Sequence, residues 1–193
     1  MTLGSPPTRF TPDDLLRLEE DDDHLYELVD GKLVEKEMSS LANKTAARII
    51  TVLNTFCLQH NSGDVYAEQS FQCFPHDPDQ IRRPDVSLIV FDRLKSVPEE
   101  GHIRIAPDLA IEVISPNDKI YIFERKLADY RKAGIPLVWE VNPKFRFVRI
   151  HRLDRKADRL EETDAITAEP VLVGFSVLVS ELLPPGETLP SSE

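Results

Sequence analysis

Asp85 and Glu112 stand where strands are expected to be apolar. The first lies in Arg82-Arg83-Pro84-Asp85-Val86-Ser87-Leu88-Ile89-Val90-Phe91, the second in Pro107-Asp108-Leu109-Ala110-Ile111-Glu112-Val113-Ile114-Ser115-Pro116. The second run has the length and β-branched content of a buried strand. An ionised carboxylate at its centre is costly unless a cation or a donor network compensates it. A shared metal ion meets that need for both acids. Mg2+, or Mn2+ in its place, takes hard oxygen ligands and keeps several waters. Two carboxylates and a backbone carbonyl, that of Val113, can therefore suffice, with phosphate oxygens completing the shell. A nearby lysine would orient or activate an attacking water and offset developing charge. Asp, Glu and Lys grouped in this way are the parts of a magnesium-dependent phosphodiesterase site.

The elements that must position these groups are legible from caps, turns and periodicity. Thr11, Pro12 and Asp14 signal a short helix start. Asp30-Gly31 between Leu25–Val29 and Lys32–Lys36 predicts a two-stranded hairpin. Apolar Leu41, Ala46, Ile49, Val52, Leu53 and Phe56 recur at helical spacing, and Asn61-Ser62-Gly63 closes that helix. A strand over Val65–Phe74, a polar turn over Pro75–Gln80 and the Asp85 strand read as a hairpin connection. The Glu112 strand is followed by a helix over about Asp118–Lys132, with Ile120, Phe123, Leu127 and Tyr130 on one face and Gly134 at its end. The strand Pro136–Val141 then suggests a parallel crossover. Phe145–His151, Arg159–Glu162 and Pro170–Val173 read as short strands, and Ser176–Leu183 as a small helix.

The chain of 193 residues suits one domain over 11–183, with a flexible N-terminus over 1–10 and a disordered tail over 184–193. No segment approaches the length of a transmembrane helix, and Met1–Pro7 lacks the basic and apolar runs of a signal peptide, so the expectation is a cytoplasmic protein with no membrane partner. Cys57 and Cys73 have neither metal-ligand spacing nor disulfide density and read as small core hydrophobes. The net charge of −11 opposes non-specific attraction to a polyanion. Many acids crowd the two ends, however, so a locally basic groove can lie between them.

The order of these strings resembles the restriction-endonuclease-like, or PD-(D/E)XK, nuclease superfamily, and within it the Uma-two family of endonuclease-like proteins. The matching strings are Tyr26–Gly31, Arg83–Val86, Pro107–Pro116, Lys126 with Tyr130 and Gly134, Val138-Trp139 with Asn142-Pro143, and Gly174-Phe175. The resemblance implies a mixed α+β or α/β fold: a restriction-endonuclease-like sheet core, flanking helices and an added β-hairpin region. It implies a metal-dependent endonuclease acting on phosphodiester bonds in DNA, and a homodimer. Ile114 occupies the superfamily's usual lysine position after Glu112. The family pattern supplies that lysine from the following helix, which implies Lys126 as the third catalytic residue beside Asp85 and Glu112, and Glu27 as an outer metal ligand. Many relatives carry a His where this chain has Ser39–Asn43, and an Asp where it has Ile122.

Plainer readings stand beside these. A structural Glu112 would need a buried partner such as Arg125 or Lys126. Lys126 lies on the border of the helix's buried face, where lysines commonly snorkel, and Lys119 is its rival for the catalytic role. If Lys126 is the catalytic lysine, Lys126→Met keeps the fold and loses rate; if Lys119 is, Lys126→Met cleaves as wild type and Lys119→Met is dead. Arg82, Arg83 and Arg125 are candidates for a positive rim that contacts phosphate. A catalytically weak or inactive nuclease-fold binding module is the competing function. A carboxylate-pair glycosidase finds no support in a chain that is 7% aromatic and has one Trp.

Overall fold

The computed structural model describes residues 9–22, 24–116 and 119–186. Helix α1 (Pro12–Asp21) begins at the expected capping box, in which the Asp14 amide donates to Thr11 Oγ1 and the Thr11 amide donates to Asp14 Oδ2. Strands β1 (Tyr26–Val29) and β2 (Lys32–Glu35) form the hairpin around Asp30-Gly31. Both turn residues have positive φ, 53° and 74°, as a tight two-residue connection requires. Helix α2 (Ser40–His60) ends on Asn61 in the left-handed region, where the Asn61 and Ser62 amides both reach Cys57 O.

The centre of the molecule is a six-stranded mixed sheet in the order β3-β4-β5-β6-β7-β8. Its strands are β3 (Gly63–Ala67), β4 (Val86–Val90), β5 (Leu109–Val113), β6 (Leu137–Asn142), β7 (Phe147–Arg152) and β8 (Asp158–Glu161). Only β5 and β6 are parallel, and helix α3 (Ile120–Lys132) connects them as the crossover. Period-two alternation sorts their side chains. Leu109, Ile111 and Val113 of β5 join Leu137, Trp139 and Val141 of β6 in the core with α2. Ala110 and Val138 point the other way, packing with Leu127 and Tyr130 of α3. Glu112 shares their parity and so faces α3, not the larger apolar core. Strands β9 (Ala165–Thr167) and β10 (Ser176–Leu178) and the short helix α4 (Val179–Leu182) complete the α2 side.

Several expectations are corrected. The strand over Val65–Phe74 stops at Ala67, because the backbone of Phe71 and Gln72 bonds instead to Arg82 and Ile103. Asp85 precedes β4 and is not within it. Pro170–Val173 forms a turn, with the Val171 and Leu172 amides both donating to Ala168 O, and the strand lies earlier at Ala165–Thr167. The first residues of the expected Ser176–Leu183 helix pair with β9, opposing Val177 to Ile166. On α3, Ile120 is exposed and does not share the buried face. Cys57 is buried in the core and Cys73 is half-buried; burial pushes their thiols up to about 11 and about 12. Among the described residues no helix is long and apolar enough to cross a membrane. The flexible segment expected over 1–10 and the tail over 184–193 lie mostly outside the described residues, and so does the Asp118 end of the expected helix.

Candidate active site

The β4–β5 register pairs Val86 with Ile111, so Asp85, one residue earlier, falls across from Glu112, one residue later. Both carboxylates therefore meet on the α3 face of the sheet, and both line one cleft of about 410 Å³ with Glu27, Lys36, Val113 and Lys126. Asp85 and Glu112 are 4% and 6% exposed, and Lys126 is 8% exposed. Helix α3 turns a polar stripe inward: Lys126, Asp129 and Tyr130 follow at helical spacing and all three are buried.

Lys126 Nζ donates to Glu112 Oε2 and contacts Glu27 Oε1, each at 2.8 Å, while Tyr130 OH donates to Glu112 Oε1 at 2.5 Å. Lys36 Nζ lies 2.6 Å from Asp85 Oδ1 and donates to Glu68 Oε2 at 2.5 Å and to Arg83 O at 2.7 Å. Asp85 Oδ2 accepts the Val113 amide at 2.5 Å. Four carboxylates (Glu27, Glu68, Asp85, Glu112) thus face two ammoniums (Lys36, Lys126). When all are ionised the cluster carries two negative charges in excess, the complement of a divalent cation.

Burial, with Asp85 and Glu27 as like charges, outweighs the Lys126 ammonium and pushes Glu112 up to about 7. Burial also raises Glu68, although Lys36 pulls against it. Glu27 moves the other way: burial opposes its charge, but Lys126, Arg82 and Lys36 together hold it down to about 2. Lys36 and Lys126 are both raised, since the carboxylates around each outweigh its burial. The Tyr130 hydroxyl is raised well above its usual range by burial and by Glu112.

These opposite shifts predict a pH signature for the metal-free protein. The folded Glu112 carboxyl titrates above its ordinary 4.5, so its contribution to stability is complete below that value and is lost as pH rises through about 7. Glu27 contributes stability above 4.5 that is lost as pH falls towards 2. Urea unfolding in chelator should show Glu112→Gln without the decline between pH 4.5 and 7. An unchanged pH slope would show that Glu112 keeps an ordinary carboxylate range.

The other candidates separate. Arg82 and Arg83 are interior and do not form a phosphate-facing rim. Arg82 bonds Glu27 at 2.8 Å and Asp129 at 2.5 Å, and Arg83 pairs with Glu19. Arg82, between the buried Glu27 and Asp129, is a structural counter-ion, and Arg83 is held by the half-buried Glu19. Arg125 pairs with Asp30 at 2.6 Å and lines a different recess beside His76. Lys119 is exposed at the mouth of the carboxylate cleft. Sequence reasoning missed Lys36 and Glu68. Lys36 follows a half-exposed hairpin strand and Glu68 follows β3, and no local pattern joins them. Tyr130 was the findable one, since its spacing of four from Lys126 puts both on one helix stripe.

A family profile described as "Putative restriction endonuclease" matches residues 12–181. The chain belongs to the Uma2 family. A crystal structure from Anabaena variabilis ATCC 29413, titled "a putative nuclease belonging to DUF820", is 22% identical in sequence. It aligns over 90% of this chain and 97% of its own, with a TM-score of 0.74. That likeness and the mixed sheet establish the restriction-endonuclease-like fold. No curated protein matches the sequence. Ser39 caps α2 and receives a hydrogen bond from Ser115 at 3.2 Å, and Ile122 lines the cleft.

The donor set suits a divalent cation. Asp85, just before β4, and Glu112 on β5 offer hard oxygens to one cleft, whose carboxylates suit Mg2+ or Mn2+. Among the described residues no three His, Cys, Asp or Glu side chains are gathered as a ready cage. Backbone carbonyl, water and substrate oxygen would therefore supply the rest of the shell, as Mg2+ commonly allows.

Proposed function

We propose that this Uma2 protein is a metal-dependent endonuclease that hydrolyses phosphodiester bonds in DNA. The observation that carries the reading is the convergence of Asp85, Glu112 and Lys126 on one carboxylate-rich cleft. Asp85 and Glu112 would hold Mg2+ or Mn2+ with the backbone carbonyl of Val113, and Glu27 would act from outside by fixing Lys126. A bound divalent cation would offset charge on the phosphoryl oxygens and acidify a water. Lys126, held between Glu112 and Glu27, would orient the attacking water and stabilise developing negative charge. Tyr130 keeps Glu112 in one rotamer, and Lys36 does the same for Asp85.

A second reading rests on Asp85, whose two oxygens already have partners in Lys36 and Val113. A cleft so satisfied suits a catalytically weak or inactive binding module. Incubation with supercoiled plasmid separates the two. The hydrolase reading expects nicking or cutting with Mg2+ or Mn2+ and none in chelator. Plasmid and single-stranded circular DNA that both stay intact across a full divalent-ion titration, with DNA still retained, select the binding module. Homodimeric assembly belongs to the same proposal, since a two-fold pair of clefts suits two-strand cutting. Light scattering reads it.

A further inference from the structure

Seven of the chain's 23 Lys and Arg residues fall within residues 144–160, against two acids, Asp154 and Asp158. The β7–β8 hairpin is thus strongly basic in a chain whose net charge is −11. Strand register ties it to the cleft: Glu112 pairs with Glu140, Glu140 with Arg149, and Arg149 with Arg159. Directly opposed residues share a face, so this row crosses the sheet on the α3 side. At about 4.8 Å per strand, Arg149 and Arg159 stand about 10 and about 14 Å along the row from Glu112. That is the reach of a few nucleotides, at about 3.4 Å each when stacked and more when splayed.

A recess of about 510 Å³ lies along the row and shares Phe123 with the carboxylate cleft. The Arg149 and Arg159 guanidiniums lie 4.9 and 3.8 Å from the Phe147 ring centroid. Phe145 is 68% exposed, with the Lys144 ammonium 5.9 Å from its ring centroid. Of the two acids that line the recess, Glu124 and Glu140, the second is offset by Arg149 at 2.6 Å and lies 3.0 Å from His151 Nε2. Arg159 also bonds Glu161 at 2.7 Å, yet its side chain is 47% exposed and Arg149's is 43% exposed.

We propose that this recess takes unpaired bases of the strand next to the scissile phosphate, stacked on Phe145 and the arginine planes, so that the substrate is single-stranded or branched DNA. Placing the phosphate in the carboxylate cleft rests on the hydrolase reading; the base-stacking site stands on its own geometry. The exposed Phe145 face beside cations matches the π-face and phosphate of an unpaired nucleotide. A continuous duplex keeps its base faces stacked inside and would leave Phe145 without a partner.

The test is fluorescence anisotropy in chelator, so that binding is read without cleavage. The probes are a labelled oligothymidylate of about 12 nucleotides, an abasic backbone of the same length, and a duplex. The proposal expects oligothymidylate to bind most tightly. Phe145→Ala should weaken it about tenfold, leave the abasic backbone unchanged, and be rescued by Phe145→Trp. Arg159→Gln should reduce the salt dependence of binding. Equal affinity for duplex with no effect of Phe145→Ala overturns the proposal. So does a Phe145→Ala protein that changes from dimer to monomer with oligothymidylate affinity intact, which would assign the recess to a second copy of the chain. Base-dependent binding without any metal-dependent cleavage would keep this site and defeat only the hydrolase reading.

Discussion

Asp85→Asn is expected to cut metal-dependent cleavage by about a hundredfold or more, the scale on which loss of one preorganised charge-stabilising group is felt. The substitution is nearly isosteric. Its amide oxygen can still accept the Val113 amide that Asp85 Oδ2 accepts at 2.5 Å, so β5 stays in place beside it. What changes is charge, and on the side of Lys36 an acceptor oxygen gives way to a donor NH2. Lys36 loses the carboxylate 2.6 Å away and keeps Glu68, and the cluster loses half of its excess of two negative charges. The measurement is the initial rate on supercoiled plasmid at saturating Mg2+, with circular dichroism confirming the fold. Cleavage at the wild-type rate by folded Asp85→Asn would remove this residue from the chemistry.

Lys126→Met is expected to lower stability by about 3–5 kcal/mol at alkaline pH, where Glu112 is ionised, the range for removing one partner of a buried ion pair. The sequence reading, with Lys126 at the border of a helix face, expects methionine to keep the fold. The structure overturns that expectation because Lys126 is buried between Glu112 and Glu27. Glu27 retains Arg82 and the Arg83 amide, but Glu112 would keep the Tyr130 hydroxyl and only the more distant charge of Lys36. Lost activity in Lys126→Met therefore does not by itself identify a catalytic lysine. Adding Glu112→Gln should restore much of the lost stability, since a neutral amide needs no counter-ion. The single variant should also recover as pH falls from alkaline to neutral, because loss of the Lys126 ammonium raises Glu112 further and protonates it there. Lys119→Met, at the exposed cap of α3, should stay within about 0.5 kcal/mol of wild type. Thermal and urea unfolding read all four proteins. Equal stability of Lys126→Met and Lys119→Met would mean that the buried ion pairs contribute nothing.

The fold was largely legible because its signals are local. Thr11 and Asp14, Asp30-Gly31, Asn61 and Gly134 each set a backbone conformation within a few residues, and the structure keeps every one. The errors fall where backbone partners are distant. Phe71 looked like a strand residue, yet it bonds Arg82 and lies beside Ile103, outside the main sheet. Pro170–Val173 has strand-like side chains, but the segment turns because its amides return to Ala168.

By itself the sequence determined that Asp85 and Glu112 are anomalous, since a carboxylate in an apolar run is visible without any neighbour. It also determined the crossover that places Lys126 above β5, because helix periodicity and strand length are one-dimensional properties. Only the tertiary structure decided which cation serves which acid. It placed Lys36 and Glu68 in the cluster, withdrew Arg82 and Arg83 into the interior, and aligned Glu112, Glu140, Arg149 and Arg159 across four strands. Electrostatic pairing acts over a few ångströms of space, whatever the distance along the chain. A lysine at the end of a hairpin therefore looks the same in sequence whether it meets solvent or a buried aspartate.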